Sequence, residues 1–281
     1  MNGKLSIAKE WLSRLCDSKA GLVGLIMITM WIIIGVVGYF WTPYDPLAFD
    51  IQARFQGPSW DHWLGTDKFG RDMLSRIMAG TSTVLLLALA GALLALILGT
   101  TVGLISGYRG GLIDEFLMRS MDILMSFPSL LLAILVLGVL GASFINVVLV
   151  VGVVFCPRVA RVVRGAVMEV RPREFIEAAI LRGESSPNIM IREILPNIMG
   201  PLGVEFSVRF AYSIFLSASL GFLGLGVQPP TPDWGLMISE NRVFMVTAPW
   251  TVVAPGLAIS TLVVGVNLLA DAVRQLAAGE I

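Results

Sequence analysis

The chain has 281 residues, of which 56% are hydrophobic and only 14% are charged, and its formal net charge is zero. A soluble domain carries about 25% charged residues, so this composition argues against a soluble protein. The hydrophobic residues are gathered into long runs, and a helix needs roughly 20 apolar residues to cross a bilayer. The sequence therefore indicates a single transmembrane domain that crosses the membrane several times.

Six apolar runs follow one another along the chain, and each is predicted to cross the membrane as a helix. The approximate spans are Ala20–Trp41, Thr83–Ser106, Asp122–Leu140, Phe144–Ala160, Gly203–Leu225 and Trp250–Leu269. The predicted fold is thus all-α and polytopic, with a transmembrane domain over residues 20–270. Residues 1–19 and 271–281 are predicted to form an N-terminal segment and a C-terminal tail.

The distribution of basic residues predicts the orientation of these spans. Of the 20 Lys and Arg residues, 14 fall on the side that holds both termini and five on the other side, while Arg209 lies within a span. Because loops rich in Lys and Arg stay in the cytoplasm, both termini and the loop of residues 161–202 are predicted to be cytoplasmic. The loop of residues 42–82 is then external.

The predicted second span carries small residues at four-residue spacing. Gly99, Gly103 and Gly107 lie on one face of this helix, and small residues let helix backbones approach closely. This pattern is typical of packing within the chain, and a dimerisation face is the alternative.

The external loop contains a charged motif over residues 62–76. Met73, Leu74 and Ile77 share one face of a helix, and the charged residues lie largely on the opposite face. We predict an amphipathic helix that lies on the membrane surface or against the spans. The motif is interpreted either as a platform for an external partner or as a structural cap. In the second case the pairing residues are Asp67, Arg71, Asp72 and Arg76.

The cytoplasmic loop is polar but has the pattern of an ordered segment. Glu177, Ala178 and Ala179 are predicted to lie in a short helix that Gly183 ends, since glycine readily adopts the left-handed conformation of a helix C-terminus. A second short helix is predicted to begin at Pro187, with Ser185 or Ser186 as its N-cap. Pro196 is then expected to break the chain before the fifth span. A plain amphipathic loop on the bilayer surface is the alternative.

Two further features concern the fifth span and the loop after it. Glu205 and Arg209 have the four-residue spacing of a helical ion pair, and ionisable groups within a span usually face a partner or a cavity. They form either a structural pair or part of a transport pathway. After Leu220, glycines are expected to end the helix and prolines to force an extended loop. Pro229, Pro230 and Trp234 of this loop line a pathway mouth or shape the turn.

The sequence offers little for catalysis. His62 is the only histidine, and neither Cys16 nor Cys156 is close to it in sequence, so no metal site of the usual kinds is predicted. The phosphate-binding pattern G-x-x-x-x-G-K-[ST] is absent from the sequence. We therefore predict no catalytic residue, no metal and no cofactor in this chain, and any nucleotide must bind elsewhere.

Three motifs together resemble the permease subunits of bacterial ABC importers. Residues 177–196 are similar to the E-A-A segment, with its glycine and its I-x-L-P-like end. Residues 65–76 resemble G-T-D-x-x-G-R-D-x-x-S-R, and residues 222–235 resemble F-L-G-L-G-x-x-P-P-x-P-x-W-G. The last two motifs are those of the dipeptide, oligopeptide and nickel family, and the chain resembles its second, shorter permease subunit.

This resemblance implies roles for the motif residues. The residues implied to contact or shape the contact with an ATPase are Glu177, Ala178, Ala179, Gly183, Leu195 and Pro196. Those implied to form the external platform are Gly65, Thr66, Asp67, Gly70, Arg71, Asp72 and Arg76.

The resemblance also implies an assembly in the bacterial cytoplasmic (inner) membrane. In it a second, homologous permease completes the pathway, two cytoplasmic ATPases bind ATP and Mg²⁺, and an external solute-binding protein delivers the cargo. Apart from membrane lipid no other partner is implied, and nucleic acid is not one. Peptides are the expected cargo and nickel or a metal chelate is the alternative. An ion-coupled secondary transporter is a distant alternative function.

Overall fold

A computed structural model describes residues 18–278 of the protein, and within that range the chain is helical and contains no strand. One isolated β-bridge joins Thr66 to Asp72. The helices of eight or more residues in this range are α1 (Lys19–Phe40), α2 (Met73–Arg109), α3 (Gly111–Ser126), α4 (Ser129–Leu140), α5 (Phe144–Val170), α6 (Glu174–Leu181), α7 (Met199–Phe222), α8 (Trp234–Asn241) and α9 (Trp250–Ala278). Residues 1–17 of the predicted N-terminal segment, with Cys16, and residues 279–281 of the predicted tail lie outside the described residues.

Several of these helices have the length and apolar composition of membrane spans. Four meet that description alone, namely α1, α2, α5 and α9, and α3 and α4 form a bent pair that could make a fifth span. Helix α7 has 24 residues, but Glu205 and Arg209 interrupt its apolar surface. The chain is therefore an all-helical, multi-pass membrane protein.

The third predicted span, over residues 122–140, is not one continuous helix. Helix α3 ends at Ser126, and α4 begins at Ser129 after a bend of 90°. Phe127 and Pro128 between them are extended. The residue before a proline is disfavoured in the helical region, which gives the bend its physical reason.

The loop of residues 42–72 has no separate amphipathic helix, so the prediction of such a helix around Met73 and Ile77 was wrong. Met73 instead begins α2, which continues for 37 residues and contains the predicted second span. The side chain of Asp72 caps this helix by accepting a hydrogen bond of 2.8 Å from the backbone N–H of Ser75. Met73 and Ile77 are buried in the protein core and do not lie on the membrane surface.

Two apolar cores hold the helices together. One lies between α2, α4, α5 and α7 and continues into the segment between α5 and α7, where Ile176, Ile189 and Ile194 are buried. The other joins α1, α2, α8 and α9, with Trp31 and Trp234 packed at its centre. The segment between α5 and α7 is thus part of the packed structure and is not a loose loop.

The small residues of α2 pack within the chain, as the first interpretation predicted. A Cβ atom on Gly103 would lie 2.6 Å from the backbone oxygen of Ala160, and one on Gly107 would lie 2.8 Å from the Cβ of Val167. Gly99 approaches α5 in the same way, at Val159. These glycines allow α2 and α5 to pack backbone to backbone.

Gly103→Ala is expected to destabilise the protein by about 1–3 kcal/mol, because the added methyl group meets backbone atoms that cannot move alone. Gly203→Ala is the matched control, since a Cβ there has no atom within 4 Å. Alanine is also the better helix former, so the control should be neutral or slightly stabilising. Thermal unfolding of the purified protein in detergent tests the difference, and equal melting temperatures would contradict it.

Candidate functional site

The first candidate site is α6, in the segment between α5 and α7. Ile176 and Ala179 on its inner face are completely buried, whereas Glu177 and Ala178 face outward. At the end of the helix, Leu181 is 88% exposed. The segment therefore offers a small, partly apolar surface on a helix whose other face is fixed to the core.

The end of α6 is a rigid turn. Gly183 has a φ of +77°, and its N–H donates to the carbonyl of Ile180 at 2.9 Å. The N–H of Glu184 donates to the carbonyl of Ala179 at 3.2 Å. This pair of bonds is the Schellman arrangement that glycine favours, so the sequence prediction for Gly183 is confirmed.

The chain then returns to the membrane through short helical turns. These turns are Ser186–Asn188, Ile189–Ile194 and Leu195–Asn197, the middle one being a π-helix. The second helix thus begins beside Pro187, as predicted, with Ser185 at the N-cap position. The interruption before α7 falls at Ile198 and not at Pro196, which lies within a helical turn.

Polar contacts hold these helical turns against the end of α6. Arg182 binds Glu184 at 2.7 Å, and Asn188 donates to Glu184 at 2.6 Å. The Arg182 hydrogen bond is the main cause that lowers the pKa of Glu184. Leu195 is half-buried and Pro196 is exposed on the same segment. The whole unit can therefore move as one body, which a flexible loop could not do.

The second candidate site is the charged motif of residues 62–76. Asp67 is fully buried and accepts hydrogen bonds from Arg71 Nε at 2.7 Å and from Arg76 Nη1. Glu240 of α8 completes the cluster at 3.2 Å from Arg71. The predicted pairing is confirmed for these residues, but Asp72 pairs with His62 at 2.9 Å.

Burial decides how this motif acts. All of its proposed platform residues are buried, including Thr66 and the two turn glycines, Gly65 and Gly70, which have positive φ values. The hydroxyl of Thr66 accepts from the backbone N–H of Gln56 at 2.9 Å. These side chains therefore shape the loop and fix it to α2 and α8, and they do not themselves present a surface to a partner.

The third motif, after α7, is a tightly packed turn. Gly224 has a φ of +77° and follows the end of α7. A Cβ on Gly226 would lie 2.6 Å from the Cα of Gly221, so the two glycines allow the chain to fold back on the helix. Asp233 caps α8 by accepting from the N–H of Leu236 at 2.8 Å.

Trp234 does not line a pathway, which corrects that interpretation. Its side chain is completely buried, and its Nε1 donates to the carbonyl of Ile77 at 3.1 Å. Its ring centroid lies 4.9 Å from that of Trp31. Trp234 therefore anchors α8 to α2 and α1, whereas Pro229 and Pro230 are exposed and stay candidates.

Asp233 gives the stability a defined pH dependence. Burial raises the pKa of Asp233 to about 6, above the ordinary aspartate value of 3.8. Because the folded-state pKa is the higher one, the contribution to stability is complete below about 3.8 and is lost as the pH rises through about 6. Asp233→Asn keeps an oxygen that can cap α8. We expect the melting temperature of the wild type, but not of this variant, to fall as the pH rises from about 4 to about 6, apart from changes common to both.

The comparisons with known proteins decide the family. Residues 99–278 match the model of the binding-protein-dependent transport system inner membrane component. The chain belongs to this family of ABC importer permeases. It is 41% identical to a dipeptide transport system permease protein of Alkalihalophilus pseudofirmus over 95% of this chain and 88% of that one. It is 40% identical to a glutathione transport system permease protein of Pectobacterium atrosepticum, over 91% and 84%.

A solved structure supports the fold of this permease. Inward-facing conformations of the methionine ABC transporter MetNI align with a TM-score of 0.59 and 16% identity, over 73% of this chain and 97% of that one. The sequence-based identification of an ABC importer permease of the dipeptide and oligopeptide family is therefore confirmed. The permease subunit forms the membrane-spanning part of its importer.

The third candidate site lies within the membrane-spanning part of the permease. Glu205 and Arg209 are both buried, and Oε1 of Glu205 lies 2.7 Å from Nε of Arg209, so the predicted pair is confirmed. Arg209 also borders a cavity of about 320 Å³. The other residues that line this cavity are Ser129, Leu130, Phe155, Arg158, Tyr212, Phe215 and Leu216. The structural and pathway interpretations of Arg209 are therefore compatible.

Several residues of these sites were missed in the sequence. Leu181 carried a signal, because it is a large apolar residue within a polar segment. Arg158 was assigned to the cytoplasmic end of a span, but α5 continues to Val170 and places it near the middle of the helix. Glu240 gave no local signal, since it reaches Arg71 from a distant part of the sequence.

Proposed function

We propose that the permease crosses the bacterial inner membrane six times, with both termini in the cytoplasm. The spans would be α1, α2, the bent pair α3–α4, α5, α7 and α9. Helix α7 measures about 36 Å at 1.5 Å per residue, which is enough to cross the roughly 30 Å hydrocarbon layer. The excess of basic residues near α6 supports a cytoplasmic position for the coupling segment, which comprises α6 and the short helical turns up to Asn197.

We further propose that α6 receives the motion of a partner ATPase. The observation that carries this proposal is the rigid turn at Gly183, which holds exposed Leu181 on a helix whose inner face is fully buried. Two ATPases would bind ATP and Mg²⁺ and close on this permease and on a second, homologous one. Each nucleotide state would favour a different orientation of the pathway, because a ligand shifts an equilibrium toward the state it binds better. This chain would then need no cofactor and perform no chemistry.

For the cargo we propose short peptides that an external solute-binding protein delivers. The relatives named above are dipeptide and glutathione transport permeases, which supports a peptide-like cargo. Nickel or a metal chelate is the alternative cargo, carried by the same architecture. An ion-coupled secondary transporter stays a distant alternative, because such a protein would work without ATPases.

Reconstitution tests the proposal directly. The permease is placed in proteoliposomes with its partner permease, the two ATPases and the binding protein, and uptake of labelled di- and tripeptides and of nickel is measured. We expect peptide uptake that requires ATP and every subunit. If nickel is taken up and peptides are not, nickel is the cargo. Peptide uptake by this chain without ATPases would contradict the importer mechanism.

A further inference from the structure

The cavity beside Arg209 lies among α4, α5 and α7. Arg209 is the eleventh of the 24 residues of α7, about 15 Å along the helix at 1.5 Å per residue. Arg158 of α5 and Ser129 at the start of α4 face the same cavity. Three different helices therefore bring polar groups to one place within the membrane-spanning part.

The polar groups of this cavity are cationic or donate hydrogen bonds. Arg209 is only 8% exposed, and its Nε makes no hydrogen bond of good geometry although Glu205 is near. Arg158 donates to the hydroxyl of Ser129 at 3.3 Å, and within residues 18–278 it has no carboxylate within ion-pair distance. Glu205, the carboxylate that lies beside Arg209, does not line the cavity. One positive charge is thus left without compensation.

The beginning of α4 adds to this positive field. Pro128 stands at the N-cap position, and no side chain caps the helix. The free N–H groups of a helix start attract anions. Ser129 and Leu130, the first two residues of α4 after the 90° bend, line the cavity, so this helix start lies beside it. The bend thus places uncapped backbone N–H groups beside the cavity.

The remaining walls are apolar and aromatic. The guanidinium of Arg209 lies 5.2 Å from the ring centroid of Tyr212 and 5.8 Å from that of Phe155. Phe215 and Leu216 extend this surface. A ligand that fits here has an anionic group beside an apolar group, and a volume of about 320 Å³ suits a small part of a larger molecule.

We propose that this cavity binds the terminal carboxylate of a peptide on its way through the permease. The carboxylate would pair with Arg158 and Arg209 at the start of α4, and the C-terminal side chain would rest on Phe155 and Tyr212. Arg–carboxylate pairs are among the stronger hydrogen-bonded contacts. This inference rests on the proposed peptide cargo. It adds that the permease itself, and not only the binding protein, recognises a chemical feature of the cargo.

Photolabelling of the complete importer tests this site. The probes are Ala-Ala-benzoylphenylalanine with a free C-terminal carboxylate and the same peptide with a C-terminal amide. Both are added to the nucleotide-free complex in nanodiscs, without binding protein. We expect the free acid to label this chain near Phe155 or within residues 209–216, in a saturable way. The amide should label the chain at least roughly tenfold less, since it cannot form the charge-assisted bonds of a carboxylate to Arg158 and Arg209.

Variants separate recognition from folding. Arg158→Gln should lower labelling by the free acid roughly tenfold and leave the weak labelling by the amide unchanged. Arg161→Gln is the matched control, because Arg161 lies three residues further along α5, pairs with Asp122 and does not line the cavity. The double variant Glu205→Gln, Arg209→Gln removes the second guanidinium without leaving a buried carboxylate unpaired, and it should act like Arg158→Gln.

Several outcomes would overturn the inference. Equal labelling by acid and amide, or full labelling of Arg158→Gln, would exclude a carboxylate site. Labelling in neutral lipid that phosphatidylglycerol abolishes would assign the cavity to a lipid phosphate. If the wild-type importer takes up the free acid but is not labelled at the cavity, the cavity site is wrong and the peptide cargo still stands. If the wild type neither imports nor binds any peptide, the peptide cargo itself is wrong and the site falls with it.

Discussion

Glu177→Lys and Gly183→Pro in the coupling segment are each expected to uncouple ATP hydrolysis from uptake while the permease stays folded and inserted. Glu177 lies on the exposed face of α6, so the charge reversal changes the docking surface without disturbing the core. Gly183 has a φ of +77° and donates through its N–H. Proline has neither a positive φ nor a backbone N–H, so the turn that holds Leu181 in place would be lost.

The size of the effect follows from what a docking surface needs. Reversal of a charge at a protein interface commonly costs 2 kcal/mol or more, which is about 30-fold in the affinity of the ATPase for the permease. Uptake should fall by at least that factor in the reconstituted importer. ATP hydrolysis by the ATPases should continue at a basal rate that the loaded binding protein no longer stimulates.

Two control variants sharpen this experiment. Glu169→Lys makes the same charge change at an exposed position near the end of α5, outside α6, and should import normally. Gly183→Ala has open space around it but keeps an unfavourable φ, which costs about 1–2 kcal/mol, so uptake should fall to an intermediate level. Wild-type uptake by both Glu177→Lys and Gly183→Pro would exclude α6 as the docking site.

Local chemistry predicted much of the coupling segment. The turn at Gly183 and the helix start beside Pro187 follow from the conformations that these residue types favour, and neither depends on distant parts of the chain. The break between α3 and α4 was also present in the sequence as Phe127-Pro128, although the apolar run continues through it. Hydrophobicity decides whether a segment can cross the membrane, but proline decides whether it does so as one helix.

Tertiary contacts decide the features that the sequence could not give. Met73 and Ile77 have the spacing of an amphipathic helix, and nothing local says that their apolar face packs against Trp31 and Trp234. Likewise Asp67 and Arg71 suggest an ion pair, but the contribution of Glu240 requires α8 to be in place. The sequence predicted Arg158 at the end of a span, because a charge in the middle of a span is costly. The cavity beside Arg158 explains its position near the middle of α5.

The external ion cluster carries the largest expected effect on stability. Asp67→Asn is expected to destabilise the folded permease by about 3–5 kcal/mol, because loss of one partner leaves buried charges uncompensated. Asp67 is fully buried, and its carboxylate is the shared partner of Arg71 and Arg76. Glu240 is partly exposed and touches the same guanidinium groups from one side only, so it cannot replace that carboxylate.

Thermal unfolding of the purified permease measures this loss, with Asp61→Asn as the control. Asp61 is an exposed acidic residue of the same loop, and such a substitution usually changes stability by less than about 0.5 kcal/mol. The double variant Asp67→Asn, Arg76→Met removes one of the two stranded charges, so its loss should be smaller than the sum of the two single losses. If Asp67→Asn unfolds at the wild-type temperature, or if the losses simply add, the cluster does not hold the loop against α2 and α8. The external motif would then need a different explanation.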